Sequence, residues 1–411
     1  MTNYPTYKLG EICETTSGGT PNRKNDAYYG GSIPWVKSGE LGKGVIYETE
    51  EHITEEAIKE SSAKIFPKGT LLIALYGATI GKLGFLGVPA ATNQAVCGIF
   101  ENEKIDLQFL SYYLFHKRND LIAQGTGGAQ PNISQTILKN LPIPLPPLAT
   151  QHLIVSRIES LFAELDKGVE KLKTAQQQLK VYRQAVLNDL LPMDNSKWKY
   201  VPIKNLISTI NNGYTPKSDK MHSVGDVQFL KVYNLTFDGT LNLGKDPVFI
   251  DRETHEKDLK RSMAYPNDVL INIVGPPLGK VSVIPNTGKE YNINQAMVLF
   301  RPNENVESLF LSYYLQSPQV IAWLTATSKA TAGQYNVKVT TCREIPFPMV
   351  EVPEQQRIVQ EIETRLSQAE LVEASVEQSL QQAEALRQSI LKKAFSGELV
   401  ASTGSTTTNG A

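Results

Sequence analysis

The sequence predicts an α+β fold: two tandem β-rich domains separated by two long helices packed as an antiparallel coiled coil, with internal pseudo-twofold symmetry. Three observations predict it. The string LSYYL stands at 110–114 and again at 311–315. Other short motifs recur around it in the same order. Two proline-free stretches, 151–191 and 355–395, carry apolar residues at alternating spacings of four and three.

The recurrence is a tandem duplication. Thr20-Pro21 returns as Thr215-Pro216 after 195 residues, YGATIGK at 76–82 as VGPPLGK at 274–280 after 198, and TNQAV at 92–96 as INQAM at 293–297 after 201. AQPNI at 129–133 and LKNLPIP at 138–144 return as GQYNV at 333–337 and CREIPFP at 342–348, both after 204. An offset that grows and then holds is what insertions in surface loops produce.

The division that follows is a first domain at 1–150, a helix within 151–195, a second domain at 196–350, a second helix within 351–398, and a disordered tail at 399–411. A chain of 411 residues has room for two or three separate cores. The net charge of −1 is spread as about −1, 0, +4 and −4 over 1–150, 151–195, 196–350 and 351–411. No domain is strongly basic, so a phosphate-binding surface would be a local patch. Cys13, Cys97 and Cys342 lie far apart without disulfide or zinc spacing, which fits a reducing compartment. The N-terminal MTNYPTYKLG lacks the apolar stretch of a signal peptide. The longest apolar run, 70–91, is broken by Lys82 and several glycines and reads as strand, turn and strand. The expectation is a cytoplasmic protein with no membrane contact.

Within each domain, TLLIALY (70–76), AVCGIF (95–100), DVLINIV (268–274) and AMVLF (296–300) read as strands between glycine- and proline-rich loops. Helices are expected over 107–123 and 308–324, with the LSYYL tyrosines on core faces. LPIPLPPL at 141–148 and IPFPMVEVP at 345–353 form stiff exits, because proline continues neither a helix nor a central strand.

The first long helix places Ile154, Ile158, Leu161, Leu165, Leu172, Leu179 and Val186 on a heptad seam. The second offers Ile358, Ile362, Ala369, Val372, Val376, Ala383, Leu386 and Ile390, whose smaller members allow close approach. At 1.5 Å per residue each rod is roughly 60 Å long. A single apolar seam needs a partner, and each helix supplies the other's. Antiparallel pairing puts a domain at either end, and two similar readers a set distance apart suit duplex DNA.

The motifs carry a family resemblance. Across nearly its full length the first half resembles the target-recognition domain of type I restriction-modification specificity subunits. The matching stretches are GGTP at 18–21, YYGGSIPWVKSGEL at 28–41, FPKGTLLIALYGATIGK at 66–82, TNQAV at 92–96, QPNIS at 130–134 and IPLPPLATQHLIV at 143–155. The second half follows with NGYTP at 212–216, YPNDVLINIVG at 265–275, NINQA at 292–296 and VPEQQRIV at 352–359, without the Tyr-Tyr-Gly-Gly and Ile-Pro-Trp elements. The resemblance implies that each domain reads one half of an asymmetric, bipartite target in double-stranded DNA. It implies that the helices set the spacing and dock two modification subunits, which carry S-adenosylmethionine, and that restriction subunits join for cleavage. No cofactor is expected in this chain. A related bifunctional restriction-methylation system, or a coiled-coil adapter for proteins, is the alternative.

Loops with cationic, hydroxyl and amide tips suit base edges and phosphates. In the first domain these are Arg23, Lys24, Lys37, Ser38, Thr79, Lys82, Gln130 and Asn132; in the second, Lys217, Lys231, Asn234, Lys280, Gln334 and Asn336. Asn93 and Gln94, followed by an apolar run in both copies, read better as structural hydrogen-bonders than as base readers. Catalysis finds little support. GATIGKL at 77–83 has three residues between its glycine and Gly-Lys, and then Leu83, where a phosphate loop needs four and then Ser or Thr. His52, His116, His152, His222 and His255 are scattered, with no nucleophile beside them.

Overall fold

The computed structural model describes residues 4–125, 132–275, 277–331 and 334–401. It divides into two compact units, 1–172 with 378–411, and 173–377. Each unit is a β-rich domain together with a part of both long helices.

In the first unit, five strands lie in the order Thr15–Ser17, Val96–Ile99, Leu71–Ala74, Leu83–Leu86 and Gly44–Ile46. A second sheet orders Glu51–Ile53, Tyr29–Val36, Ala90–Thr92 and Ile65–Phe66. Leu71–Ala74 and Leu83–Leu86 are antiparallel around the glycine turn, as the broken apolar run predicts. The strand Leu71–Ala74 is buried on both faces, which is why its sequence is continuously apolar rather than alternating. LSYYL lies in the helix Leu107–His116, whose Asp106 cap accepts the Phe109 N–H; Tyr113 is buried and its hydroxyl donates to the Pro142 carbonyl at 2.7 Å.

The second unit repeats the plan. One sheet orders Ile207–Asn212, Met297–Pro302, Val269–Asn272 and Val281–Val283, and the other Phe249–Ile250, Val227–Leu230, Tyr291–Ile293 and Met263–Ala264. The counterpart of Gly44–Ile46 shrinks to one bridge, between Gly239 and Ser282. Tyr314 is fully buried in the helix Ser308–Gln316 and its hydroxyl donates to the Pro346 carbonyl. Helices expected over 107–123 and 308–324 are each broken in two, at Lys117 and at Ser317-Pro318.

The proline-rich exits are strands. Pro142–Pro144 pairs antiparallel with Thr6–Lys8, and Pro346–Met349 with Lys199–Pro202. Each sheet has only two strands, so the prolines' missing N–H groups face away from the partner strand at no cost.

The long helices run Leu148–Leu190 and Val352–Phe395. In the second unit Arg183 pairs with Glu370 and Glu373, and Asp189 with Arg365, so partner numbers fall as those of the first helix rise. The pairing is antiparallel. The first unit keeps the same sense: Asp166 pairs with Arg387, whose guanidinium lies 4.5 Å over the Phe162 ring, and Ile154 and Ile158 share a core with Ile390, Leu391, Ala394 and Phe395. Ile154, Ile158, Val186, Ile358, Ile362, Val376 and Ile390 are buried, while Leu161, Leu165, Leu172 and Leu179 are half-buried.

Two seam expectations need correction. Leu386 is 51% and Val372 50% exposed. After Ala369 and Ala383, the seam continues four residues on rather than three, through Glu373 and Arg387. Both are charged, so an apolar pattern passes over them, and both sit inward because each has an ionic partner on the other helix.

Of the tail expected to be disordered, 399–401 belong to the short helix Glu398–Ala401, and Leu399 packs against the first unit's core. Residues 402–411 lie outside the described residues.

Candidate nucleic-acid interface

The repeated motifs, dispersed along the sequence, are drawn together by backbone hydrogen bonds. In the first unit the Asn93 N–H donates to Val36 O at 2.9 Å, beside Lys37. Gly18 and Gly19 donate to Val96 O and Thr92 O, Leu75 to Ala95 O at 2.8 Å, and Ile133 to Leu75 O at 2.8 Å. The Gly-Gly-Thr-Pro loop, the Lys37 turn, the Asn-Gln turn, the glycine turn at 76–82 and the Asn132 segment thus meet at one place. The second unit reproduces the junction: Asn294 donates to Leu230 O, Gly213 to Met297 O, Ile273 to Ala296 O and Val337 to Ile273 O.

Close approach explains the glycines that open the Thr-Pro loops. A Cβ on Gly18 would stand 2.0 Å from Thr92 Oγ1, and one on Gly213 2.1 Å from the Asn294 carbonyl oxygen. In the first unit the loop is further braced by Trp35 Nε1–H donating to Gly19 O at 3.1 Å and the Tyr29 hydroxyl donating to Pro21 O at 2.8 Å. This is the work of the Tyr-Tyr-Gly-Gly and Ile-Pro-Trp elements, which the second half lacks.

The candidate contacts differ in how free they are. Arg23 is pinned, its guanidinium 4.8 Å from the centres of the Tyr29 and Trp35 rings and 2.5 Å from Glu51. Lys37 pairs with Glu50 at 2.8 Å and Glu51 at 3.0 Å; those hydrogen bonds raise its pKa, and Arg23 followed by Lys37 lowers that of Glu51. Much of the cationic charge of this loop is therefore balanced within it. Lys24 and Lys82 are exposed, as are Asn132, Lys217 and Asn336. Ser38 and Thr79 are half-buried, the first opening the turn Ser38–Glu40 and the second accepting the Lys82 N–H on its carbonyl. Gln130 lies outside the described residues, as does the side chain of Gln334, whose backbone belongs to the strand Gln334–Asn336.

Lys231 lies 6.0 Å over the Tyr233 ring and Lys280 5.6 Å over that of Phe237. Asn234 departs from the expectation of a reading side chain. It is 2% exposed, accepts the Lys231 N–H at 2.8 Å, and donates to Asn242 O and Lys245 O. Its amide oxygen and its amide nitrogen are both engaged in holding the 231–245 loop, as Glu40 caps the Lys37 turn in the first unit.

Some contributors went unread in the sequence. Arg118 donates from Nε and Nη2 to Ile80 O and clamps the glycine turn. Phe237 stands 55% exposed on a loop whose Thr236, Asp238 and Thr240 bond one another and whose Thr240 carbonyl accepts from Ser282. Neither a lone arginine in a helix nor a lone loop phenylalanine carries a pattern. Among the described residues no group of three or more His, Cys, Asp or Glu is arranged to hold a metal ion. Nor is any helix among them long and apolar enough to cross a membrane.

Comparison with known proteins agrees with this architecture. The family profile described as type I restriction modification DNA specificity domain matches residues 1–174 and again 195–382. The type I restriction enzyme EcoBI specificity subunit of Escherichia coli is 29% identical over 345 residues, covering 76% of this chain and 70% of that protein. The EcoKI specificity subunit of Escherichia coli strain K12 is 23% identical over 393 residues, 90% of this chain and 83% of that one. Among solved structures, one from work on complex assembly and conformational transition of the type I R-M system superposes with a TM-score of 0.73 at 21% identity, over 96% of this chain and 98% of that one. The HsdS subunit from Thermoanaerobacter tengcongensis gives 0.53 at 20% identity, over 96% and 97%. At such identities the structural likeness speaks to the fold.

Proposed function

The chain belongs to the type I restriction-modification DNA specificity family, and from that premise we propose that it is the sequence-reading subunit of such a complex. Each unit reads one half of an asymmetric, bipartite duplex target. The long helices set the separation of the halves and dock two modification subunits, which supply S-adenosylmethionine and methylate adenine; restriction subunits join for cleavage. The chain works in the cytoplasm and has no catalytic role of its own.

One observation carries this reading: the same five segments meet in both units, yet the side chains they present differ. Where the first unit has Arg23 after its Thr-Pro, the second has Ser218, and the loop that follows its Lys231 turn carries the exposed Phe237. A shared scaffold with different tips is what two half-sites of different sequence require. The adapter alternative accounts for the helices but not for two variable readers.

The purified chain mixed with two equivalents of its modification subunit should form an active adenine methyltransferase, and its methylated sites should share one bipartite sequence. Methyl transfer by the pure chain, or methylation without a shared sequence, would sink the reading.

A further inference from the structure

Asn93 and Asn294 share an anomaly. At equivalent positions of the two units, each has a side-chain Oδ1 that is buried and, among the described residues, without a hydrogen-bond partner. A buried polar atom left unpaired costs stability, so its presence calls for an explanation. The folding role expected of these residues is carried by their backbones: each N–H donates to the neighbouring strand, and each carbonyl accepts from three residues on, Val96 and Met297. The side chains are superfluous to that.

With Oδ1 turned inward, Nδ2 is the accessible end of each amide. Beside it stand Gln94 and Gln295, both exposed. Two hydrogen-bonded steps away, through Leu75 in one unit and Ile273 in the other, come the exposed Asn132 and Asn336. Each bridges the intervening segment, Asn132 with Tyr76 and Asn336 with Val274. Of three adjacent backbone segments, the outer two therefore carry neutral amides in each unit, alike in both.

Likeness decides the ligand. Residues identical in the two readers cannot tell two different half-sites apart, but the phosphodiester backbone is the same in both halves, and amide side chains are ordinary donors to it. We propose that Asn93, Gln94 and Asn132 in the first unit, and Asn294, Gln295 and Asn336 in the second, form a phosphate-holding amide row that sets the register of each reader on DNA. This rests on the DNA-recognition reading above. Because the donors are neutral, the row adds affinity without displacing counterions, and the salt slope of binding is insensitive to it.

The test uses the full chain assembled with its modification subunits. Asn294→Asp replaces the outward donor by a carboxylate facing phosphate, and Asn294→Ala removes it. Fluorescence anisotropy on a cognate and an unrelated duplex should show both variants losing roughly tenfold in affinity on each duplex alike, Asp the more strongly. The slope of log affinity against log salt and the methylated sequence should be unchanged in the Ala variant, and its melting temperature should not fall, since the unpaired Oδ1 leaves with the amide. Three results would overturn the proposal: a changed base in the methylated sequence, weaker assembly with the modification subunit at unchanged DNA affinity, or a fall in melting temperature that accounts for the loss. All three are read against a wild-type complex that discriminates between the duplexes. A wild type that does not discriminate would overturn the recognition reading itself, and this proposal with it.

Discussion

Gln151 accepts the backbone N–H of Asp106 on its Oε1 at 2.8 Å, and Asp106 is the cap of the helix that carries LSYYL. The first turns of the long helix are thereby fastened to the start of a helix in the β-rich domain. The Nε2 of Gln151 completes the joint by donating to Lys104 O and Pro146 O. Gln355 does the same in the second unit, accepting from Glu307 and donating to Asn305 O and Val350 O. Both glutamines are 1% exposed or less.

Gln151→Leu should therefore leave one buried N–H and two carbonyls unpaired, at a cost of about 2–4 kcal/mol. Scanning calorimetry should find the melting midpoint lowered by roughly 5–10 °C. Gln355→Leu should act alike, and an unmoved midpoint would show that water replaces the amide.

The inward charges of the long helices should be coupled but weakly stabilising. A double-mutant cycle on Arg183→Leu and Glu373→Leu is expected to give about 0.5–1 kcal/mol, since the side chains are 25% and 37% exposed and solvent screens them. Urea denaturation of the four proteins measures it; a coupling of zero would mean the pair is incidental to the seam.

These two features mark the limits of what the sequence discloses. The tyrosines of LSYYL were legible as core because they repeat within an apolar helix. The seam was legible where Ile154, Ile158, Ile358 and Ile362 hold it, and misread at Leu386, because Arg387 fills the seam position through an ionic bond that hydrophobic spacing cannot register. Asn234 looked like a reader for the opposite reason: an amide in a polar loop gives no sign of whether its partners are internal. The meeting of five motifs in each unit was invisible, being set by strand register between segments up to about a hundred residues apart.

His116 offers a pH dependence. Its ring stacks on Phe395 at 5.7 Å, and burial, aided by Lys117 and Lys392, lowers its pKa below the ordinary histidine value. The unfolded chain then binds the proton more readily, so stability from this site is full above the ordinary value and is lost as pH falls toward the lowered one. Melting curves at pH 7.5 and 5.5 should converge more closely for His116→Phe than for the wild type. An equal shift in both proteins would remove His116 as the cause.

If the helices set the half-site spacing, inserting four residues near Gln176–Gln178 should lengthen the first rod by roughly 6 Å. At about 3.4 Å of rise per base pair, the unread spacer should grow by one or two base pairs while both half-site sequences persist. Mapping methylated adenines reads this directly. A spacer unchanged at full activity would leave the helices as docking elements only.

The strand pairs Thr6–Lys8 with Pro142–Pro144, and Lys199–Pro202 with Pro346–Met349, bring the entrance and the exit of each domain side by side. A segment whose two ends meet can be lifted out and replaced without disturbing what lies beyond either end. For inheritance this makes each domain a cassette. On the function proposed above, a recombination event joining genes within these proline-flanked borders would deliver a folded protein with one reader exchanged and both long helices unchanged, so that half of the recognised address could change in a single genetic step.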